Sequence, residues 1–209
     1  MALMQDNVAK LSSGIHFVSG IDTDAGKTVC TGWLARELLR CGRRVATMKL
    51  VQTGCGDYSP DIRLHRRLMG VTLPEDEEGI TAPELFTYPA SPHLAAKIDG
   101  RPIDLAHLID CANKLAESYD VVLVEGAGGL AVPLTENLLT VDFICHGVPS
   151  PGVWRKYLKE IAARRAAGKN TVLYASLNKS GDVLRDISFI SFRDKTLSWK
   201  KYSFVVCFS

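Results

Sequence analysis

Gly20-Ile21-Asp22-Thr23-Asp24-Ala25-Gly26-Lys27-Thr28 is the stretch whose residue types and spacing could do chemistry. An apolar run, Ile15 to Ser19, precedes it, and an apolar-periodic segment from Val29 to Leu39 follows. Strand, glycine-rich turn and helix in that order aim backbone N–H groups and a positive helix N-terminus at one point, which suits a phosphate. Lys27 can then reach the terminal phosphates, and the Thr28 hydroxyl can hold Mg²⁺. Five residues rather than four separate Gly20 from Gly26, so the general phosphate-loop spacing is not met. The plain alternative is an ordinary turn and helix start at Gly26-Lys27-Thr28. The order of strand, glycines, Lys-Thr and helix favours the phosphate loop. Asp22 and Asp24 suit such a loop only if they also meet a cation or a substrate amine.

Two further charged residues stand where strands should end. Arg44 to Lys49 reads as the second strand of a β-loop-α-β unit, parallel and right-handed. That puts Lys49 at a carboxyl edge, where open α/β sheets bind ligands. Asp120 to Val124 carries four consecutive apolar residues, which suit a buried parallel strand. Glu125 then stands at its end, before small residues that let a ligand approach the backbone. In phosphate-loop proteins a carboxylate there commonly serves the metal; the plain alternative is a charged residue capping a strand. Between these strands, Ser59-Pro60-Asp61 opens a helix that Gly70 closes, and Ser91-Pro92-His93 opens one that ends near Gly100. A third helix covers about Asp104 to Glu117, with Leu105, Leu108, Ile109, Ala112 and Leu115 on one face. The acidic cluster Glu75-Asp76-Glu77-Glu78 reads as a solvated loop.

The whole chain must position these groups. Its 209 residues allow one α/β domain with a substantial core, or one domain and a piece of another. Hydrophobic residues at 46% and charged residues at 23% fit a soluble globular protein. A net charge of +2 argues against a nucleic-acid or membrane-surface partner, but it hides an asymmetry. Residues 1 to 140 hold 13 Lys and Arg against 18 Asp and Glu, whereas residues 141 to 209 hold 12 against 5. Six cysteines form no C-x-x-C pair and no zinc spacing with the five histidines, so reduced thiols are expected. Residues 1 to 14 read as a loose polar leader without signal-peptide character, no run of about 18 apolar residues occurs, and a cytoplasmic location is expected.

With these motifs in order, the chain resembles dethiobiotin synthetase from about Ile15 to Asp142. The carrying residues are Gly20-x-Asp22-Thr23-x-x-Gly26-Lys27-Thr28, Lys49 with Thr53-Gly54, Asp61 before a helix, Ser91-Pro92-His93, Val124-Glu125-Gly126-Ala127-Gly128-Gly129 and Pro133-Leu134. The five-residue gap in the loop is that family's own variant. The resemblance implies a P-loop-type parallel sheet flanked by helices and a homodimer with substrate near its interface. The implied reaction adds CO₂ to 7,8-diaminopelargonate: a carbamate forms, ATP phosphorylates it, and the second amine closes a cyclic urea. It further implies nucleotide contacts at Asp24, Ala25, Gly26, Lys27, Thr28, Val29, Asp61, Glu125, Gly126, Ala127 and Gly128. Mg²⁺ would fall to Thr28, Asp61 and Glu125. Lys27 and Lys49 become the catalytic cations, the latter holding carbamate and γ-phosphate together. Thr23 and Thr53 become substrate contacts, and Asp22 a group orienting the amine.

After about residue 141 the resemblance stops. Asp142 to Trp154, Ile190 to Lys195 and Trp199 to Phe204 resemble part of the beta subunit of deazaflavin-dependent hydrogenases and dehydrogenases. The charge break falls at the same place, so the expected organisation is a leader at 1–14, a domain at 15–141 whose sheet is cut short, and an unrelated segment at 142–209. A strand from Tyr202 to Phe208 is still in progress where the sequence stops. A sheet lacking its later strands would leave an edge open unless the substitute segment or a second copy covers it. Cys145-His146 is an isolated pair that suits a structural role better than a metal or redox site, and Asn178-Lys179-Ser180-Gly181-Asp182 misplaces the aspartate of a guanine-reading motif. Two other readings compete. A regulatory or partitioning ATPase would carry a lysine early in the loop, where Ile21 and Asp22 stand, and would not need Lys49 with Thr53-Gly54. A redox-subunit fragment would bind flavin or an iron–sulfur cluster, but the cysteine clusters for the latter are lacking.

Overall fold

The computed structural model describes residues 11–20 and 23–145, together with the backbone strands 172–176, 187–190 and 204–208. Strand β1 (Gly14–Gly20) feeds the glycine loop, and helix α1 (Lys27–Arg40) leaves it. Strand β2 (Val45–Lys49), the short β3 (Gln52–Thr53), helix α2 (Pro60–Met69), β4 (Leu85–Phe86), α3 (Pro92–Ile98), α4 (Leu105–Ser118) and β5 (Val121–Gly129) follow. The hairpin strands β6 (Pro133–Thr135) and β7 (Leu138–Leu139) lead to α5 (Thr140–Cys145), and β8 (Val172–Ser176), β9 (Ile187–Ile190) and β10 (Phe204–Phe208) complete the described elements.

The main sheet has six strands in the order β2-β5-β1-β10-β8-β9. β5 runs parallel to both β1 and β2 and lies between them. The first crossover therefore skips a position, and the expected β-loop-α-β unit is not a pair of adjacent strands. On the other side of β1, β10 pairs antiparallel, with Phe17 opposite Cys207 and Gly20 opposite Phe204. The edge expected to stand open is thus occupied by a strand of the later segment, and the parallel core continues into a mixed sheet.

Alternation along β5 sends its residues into two layers. Val121 and Leu123 join Val18, Leu34, Ala35, Leu38, Val45 and Met69 beneath α1 and α2. Val122 and Val124 join Phe17, Ala46, Met48, Leu108, Cys111 and Leu115 beneath α4. A parallel sheet covered on both faces reads as a continuous apolar run, as Val121 to Val124 does.

The helix ends follow local chemistry. Ser59 Oγ accepts from Ile62 N at 3.1 Å, with Pro60 at the first helical position, and Gly70 takes φ 73° at the far end. Asp104 Oδ1 accepts from His107 N at 3.0 Å to start α4.

Two expectations need correction. Residues 11–13 are not loose: Arg43 donates to Leu11 O and to Ser13 Oγ, both at 2.8 Å, and a His16 ring nitrogen lies 3.0 Å from Ser12 O. Nor is the acidic cluster merely solvated. It begins with a 3-10 turn at Pro74–Asp76, Asp76 accepts from Arg66 at 2.6 and 2.7 Å and from Thr81 at 2.6 Å, and Tyr119 donates to Glu75 at 2.8 Å. A buried guanidinium needs a carboxylate partner, and this loop supplies it.

Candidate active site at the carboxyl edge of the sheet

The glycine loop is shaped by backbone. Gly26 takes φ 84° as the N-cap of α1, and Asp24 takes φ 56°, uncommon for a residue with a side chain. At Gly20, a Cβ would stand 3.1 Å from Ala25 Cβ and 3.2 Å from Lys27 Cγ. Gly20 therefore lets the Lys27 stem fold across the loop, and Lys27 and Ala25 are buried there. Thr28 lies in the first turn of α1, Val29 follows half-buried, and Thr23 and Asp24 are exposed.

Lys49 and Glu125 are cross-strand neighbours in the parallel β2–β5 register. Lys49 Nζ lies 2.9 Å from Glu125 Oε1, 2.5 Å from Asp61 Oδ2 and 3.3 Å from the Gly126 carbonyl, to which it donates. Thr28 Oγ1 donates to Glu125 Oε1 at 3.0 Å. Thr28 of the loop's helix and the β2 lysine thus meet on the Glu125 carboxylate in the middle of β5, and Asp61 in the first turn of α2 joins them through Lys49. Glu125 does not end its strand, as expected from the sequence, because β5 runs on through Gly126, Ala127 and Gly128 to Gly129. Gly126 allows this passage: a Cβ there would stand 2.9 Å from Phe17 Cε1.

Lys49 is 4% exposed and Glu125 fully buried. Burial pulls the Lys49 pKa down, but the charges of Glu125 and Asp61 more than offset it and hold the ammonium above its ordinary value. Burial alone would raise Glu125; the Lys49 charge and the His65 hydrogen bond hold it well below the carboxylate range. Burial first, then the Glu125 charge, push the nearby Cys30 thiol up to about 12, which makes it inert.

Two carboxylates and one ammonium leave negative charge in excess, and Thr28 adds a neutral oxygen. That donor set fits Mg²⁺, which takes one or two carboxylates and completes its shell with water and phosphate oxygens. Among the described residues no group of three or more His, Cys, Asp or Glu side chains is placed to hold a metal, so a dedicated all-protein cage is not built here.

Three residues prominent in this geometry lack a motif. His65 Nε2 lies 2.8 Å from Glu125 Oε2, His65 Nδ1 lies 3.0 Å from Thr47 Oγ1, and Arg66 donates to Thr47 Oγ1 at 2.8 Å. One signal could have found His65: it follows Asp61 by four residues on one helix, hence on the same face. Thr53 sits half-buried in β3, one residue beyond Gln52, whose side chain accepts from Ser59 Oγ at 2.8 Å. Ile21, Asp22, His146 and Asn178 to Asp182 lie outside the described residues.

The AAA domain family matches residues 16–146. A protein of Pasteurella multocida named ATP-dependent dethiobiotin synthetase BioD 2 is 48% identical over 133 residues, covering 63% of this chain and 62% of that protein. One of the same name from Haemophilus ducreyi is 52% identical over 131 residues, 62% of each chain. A third, the ATP-dependent dethiobiotin synthetase BioD of Anoxybacillus flavithermus, is 37% identical over 171 residues, covering 78% of this chain and 72% of its own. The chain belongs to the dethiobiotin synthetase family. It spans 62% of the length of the first two relatives. Within the family match lie the loop, Lys49, Asp61 and Glu125.

Proposed function

We propose that this chain is an ATP-dependent dethiobiotin synthase, a cyclo-ligase that carboxylates 7,8-diaminopelargonate with CO₂ and closes the ureido ring through a phosphorylated carbamate. The observation that carries the reading is Lys49, a buried ammonium held between Asp61 and Glu125 beside Thr28 of the loop's helix. A nucleotide-switch ATPase has no use for a second buried lysine there, whereas joining two anions does. A carbamate and a γ-phosphate repel, and a fixed cation between them lowers that barrier. Lys27 and the loop amides, from Asp24 to Val29, neutralise charge on the transferred phosphoryl group. Thr28, Asp61 and Glu125 hold Mg²⁺, which supplies charge neutralisation on the phosphates when bound. Gly126, Ala127 and Gly128 let the nucleotide approach the backbone, and Thr23 and Thr53 contact the diamine substrate.

The same reading assigns residues 15–141 to the catalytic domain, residues 142–209 to a separate segment of hydrogenase or dehydrogenase character, and a homodimer as the working form in the cytoplasm. Among the described residues no helix is long and apolar enough to cross a membrane.

The test is formation of dethiobiotin from diaminopelargonate, bicarbonate and Mg²⁺-ATP by the 209-residue chain. Lys49→Ala should lower turnover at least about a hundredfold, the scale for removing one transition-state charge contact. Folded protein that binds ATP but makes no product would sink the proposal.

A further inference from the structure

The two oxygens of Glu125 have different partners. Oε1 takes Thr28 at 3.0 Å and Lys49 at 2.9 Å, whereas Oε2 takes only the imidazole of His65, at 2.8 Å, among the hydrogen bonds of the described residues. A buried carboxylate on a three-torsion side chain would otherwise divide its orientations among these donors. His65 is itself fully buried and held on its other side by Thr47.

Proton positions follow from what each partner can do. An ionised carboxylate only accepts, so Nε2 carries hydrogen. Arg66 only donates, so Thr47 Oγ1 accepts from it and its own hydrogen is available to Nδ1. The bonds then run in one direction, from Arg66 through Thr47 and His65 to Glu125. At the far end Arg66 also donates to Asp76 at 2.6 and 2.7 Å, which fixes its plane.

Packing sets the depth of the ring. A Cβ at Gly32 of α1 would stand 3.2 Å from His65 Cα and 2.8 Å from Leu68 Cδ1. The absent side chain brings α2 against α1 closely enough for His65 to reach β5.

We propose that His65 is a positioning residue for Glu125. Its Nε2–H pins Oε2, so that Oε1 is the oxygen presented to Thr28, to Lys49 and to a metal arriving with the nucleotide. The inference rests on the reading above in one respect, that Glu125 contributes to holding Mg²⁺. An outer partner that orients a metal-binding group is commonly worth 10- to 100-fold in metal affinity.

The test uses the full chain and reads metal-dependent nucleotide binding instead of turnover. Nucleotide affinity is titrated against Mg²⁺, and Mn²⁺ binding in the presence of nucleotide is followed by electron paramagnetic resonance. His65→Leu, similar in volume but without a donor, should raise the Mg²⁺ concentration for half-maximal binding by about 10- to 100-fold, with nucleotide affinity in excess chelator unchanged. His65→Gln places an amide nitrogen near the Nε2 position and should stay within about threefold of wild type, whereas His65→Asn reaches only the Nδ1 position and should behave as the leucine variant does. Should His65→Leu not fold, the contrast between Gln and Asn carries the test. Equal metal dependence in the Gln and Asn variants, with only their unfolding temperatures changed, would mean a purely structural histidine. Wild-type nucleotide binding indifferent to Mg²⁺ would overturn the positioning role as well. Metal-dependent binding without dethiobiotin formation would instead overturn the proposed reaction and leave His65 in place.

Discussion

The loop side and the charge side of the site are built on opposite principles. At Gly20 to Thr28 the shape comes from backbone: a left-handed Gly26, a left-handed Asp24 and a glycine over which Lys27 folds. At Lys49, Asp61 and Glu125 it comes from side chains whose charges meet across β2, α2 and β5, with His65 hydrogen-bonded to Glu125. Backbone conformation is set by neighbours in sequence, so the loop is robust to distant change. A buried charge cluster depends on every member, since losing one leaves the others uncompensated.

The largest test of that contrast is Lys49→Met. It leaves Glu125 buried without its cation, and unfolding by urea should show a loss of about 3–5 kcal/mol, the cost of breaking a buried pair from one side. A loss below that of a loop variant would break the comparison.

Acid separates the two sides by window. His16, on the strand that feeds the loop, is pushed by burial from 6.5 down to about 4. The unfolded chain therefore binds the extra proton first, and stability should fall by roughly 3 kcal/mol between pH 6.5 and 4. Glu125 and Asp76 are depressed despite burial, the former by the Lys49 charge and the latter by its Arg66 hydrogen bonds. Their contribution is present above the ordinary carboxylate values of 4.5 and 3.8 and is lost below them. Lys49, raised despite its burial by Glu125 and Asp61, loses its contribution only above 10.5. In His16→Asn the decline from pH 6.5 to 4 should flatten while the steeper loss at lower pH persists. Chemical denaturation across that range measures both.

The smallest effect belongs to the loop. Gly26→Ala places a side chain at φ 84° and should cost about 1–2 kcal/mol of stability. Nucleotide affinity should fall with it, because the amide that Gly26 orients is displaced. A nucleotide affinity unchanged in this variant would remove the loop's role in phosphate binding.

What could be read from sequence follows the same division. The loop, the Ser59-Pro60 start and the Gly70 stop announce themselves because their chemistry is local. The parallel core was legible too, since Val121 to Val124 is apolar without alternation. The insertion of β5 between β1 and β2 was not, because no residue within a strand names its neighbour. Asp76 looked solvated for a similar reason: its partner Arg66 lies ten positions away on a helix whose orientation depends on Gly32. Glu125 was expected at the end of its strand and lies within it, because the small residues after it, which read as a strand end, here permit close passage of Phe17.

The position of β5 also has a consequence in time. β1 and β2 are made first, yet in the described sheet neither pairs with the other, and both wait for residues 121–129. A ribosome must therefore deliver more than half of the chain before β2 gains its partner or β1 its parallel one. Until then two apolar strands are unpaired and liable to non-native association. The phosphate loop is synthesised early and anchored late.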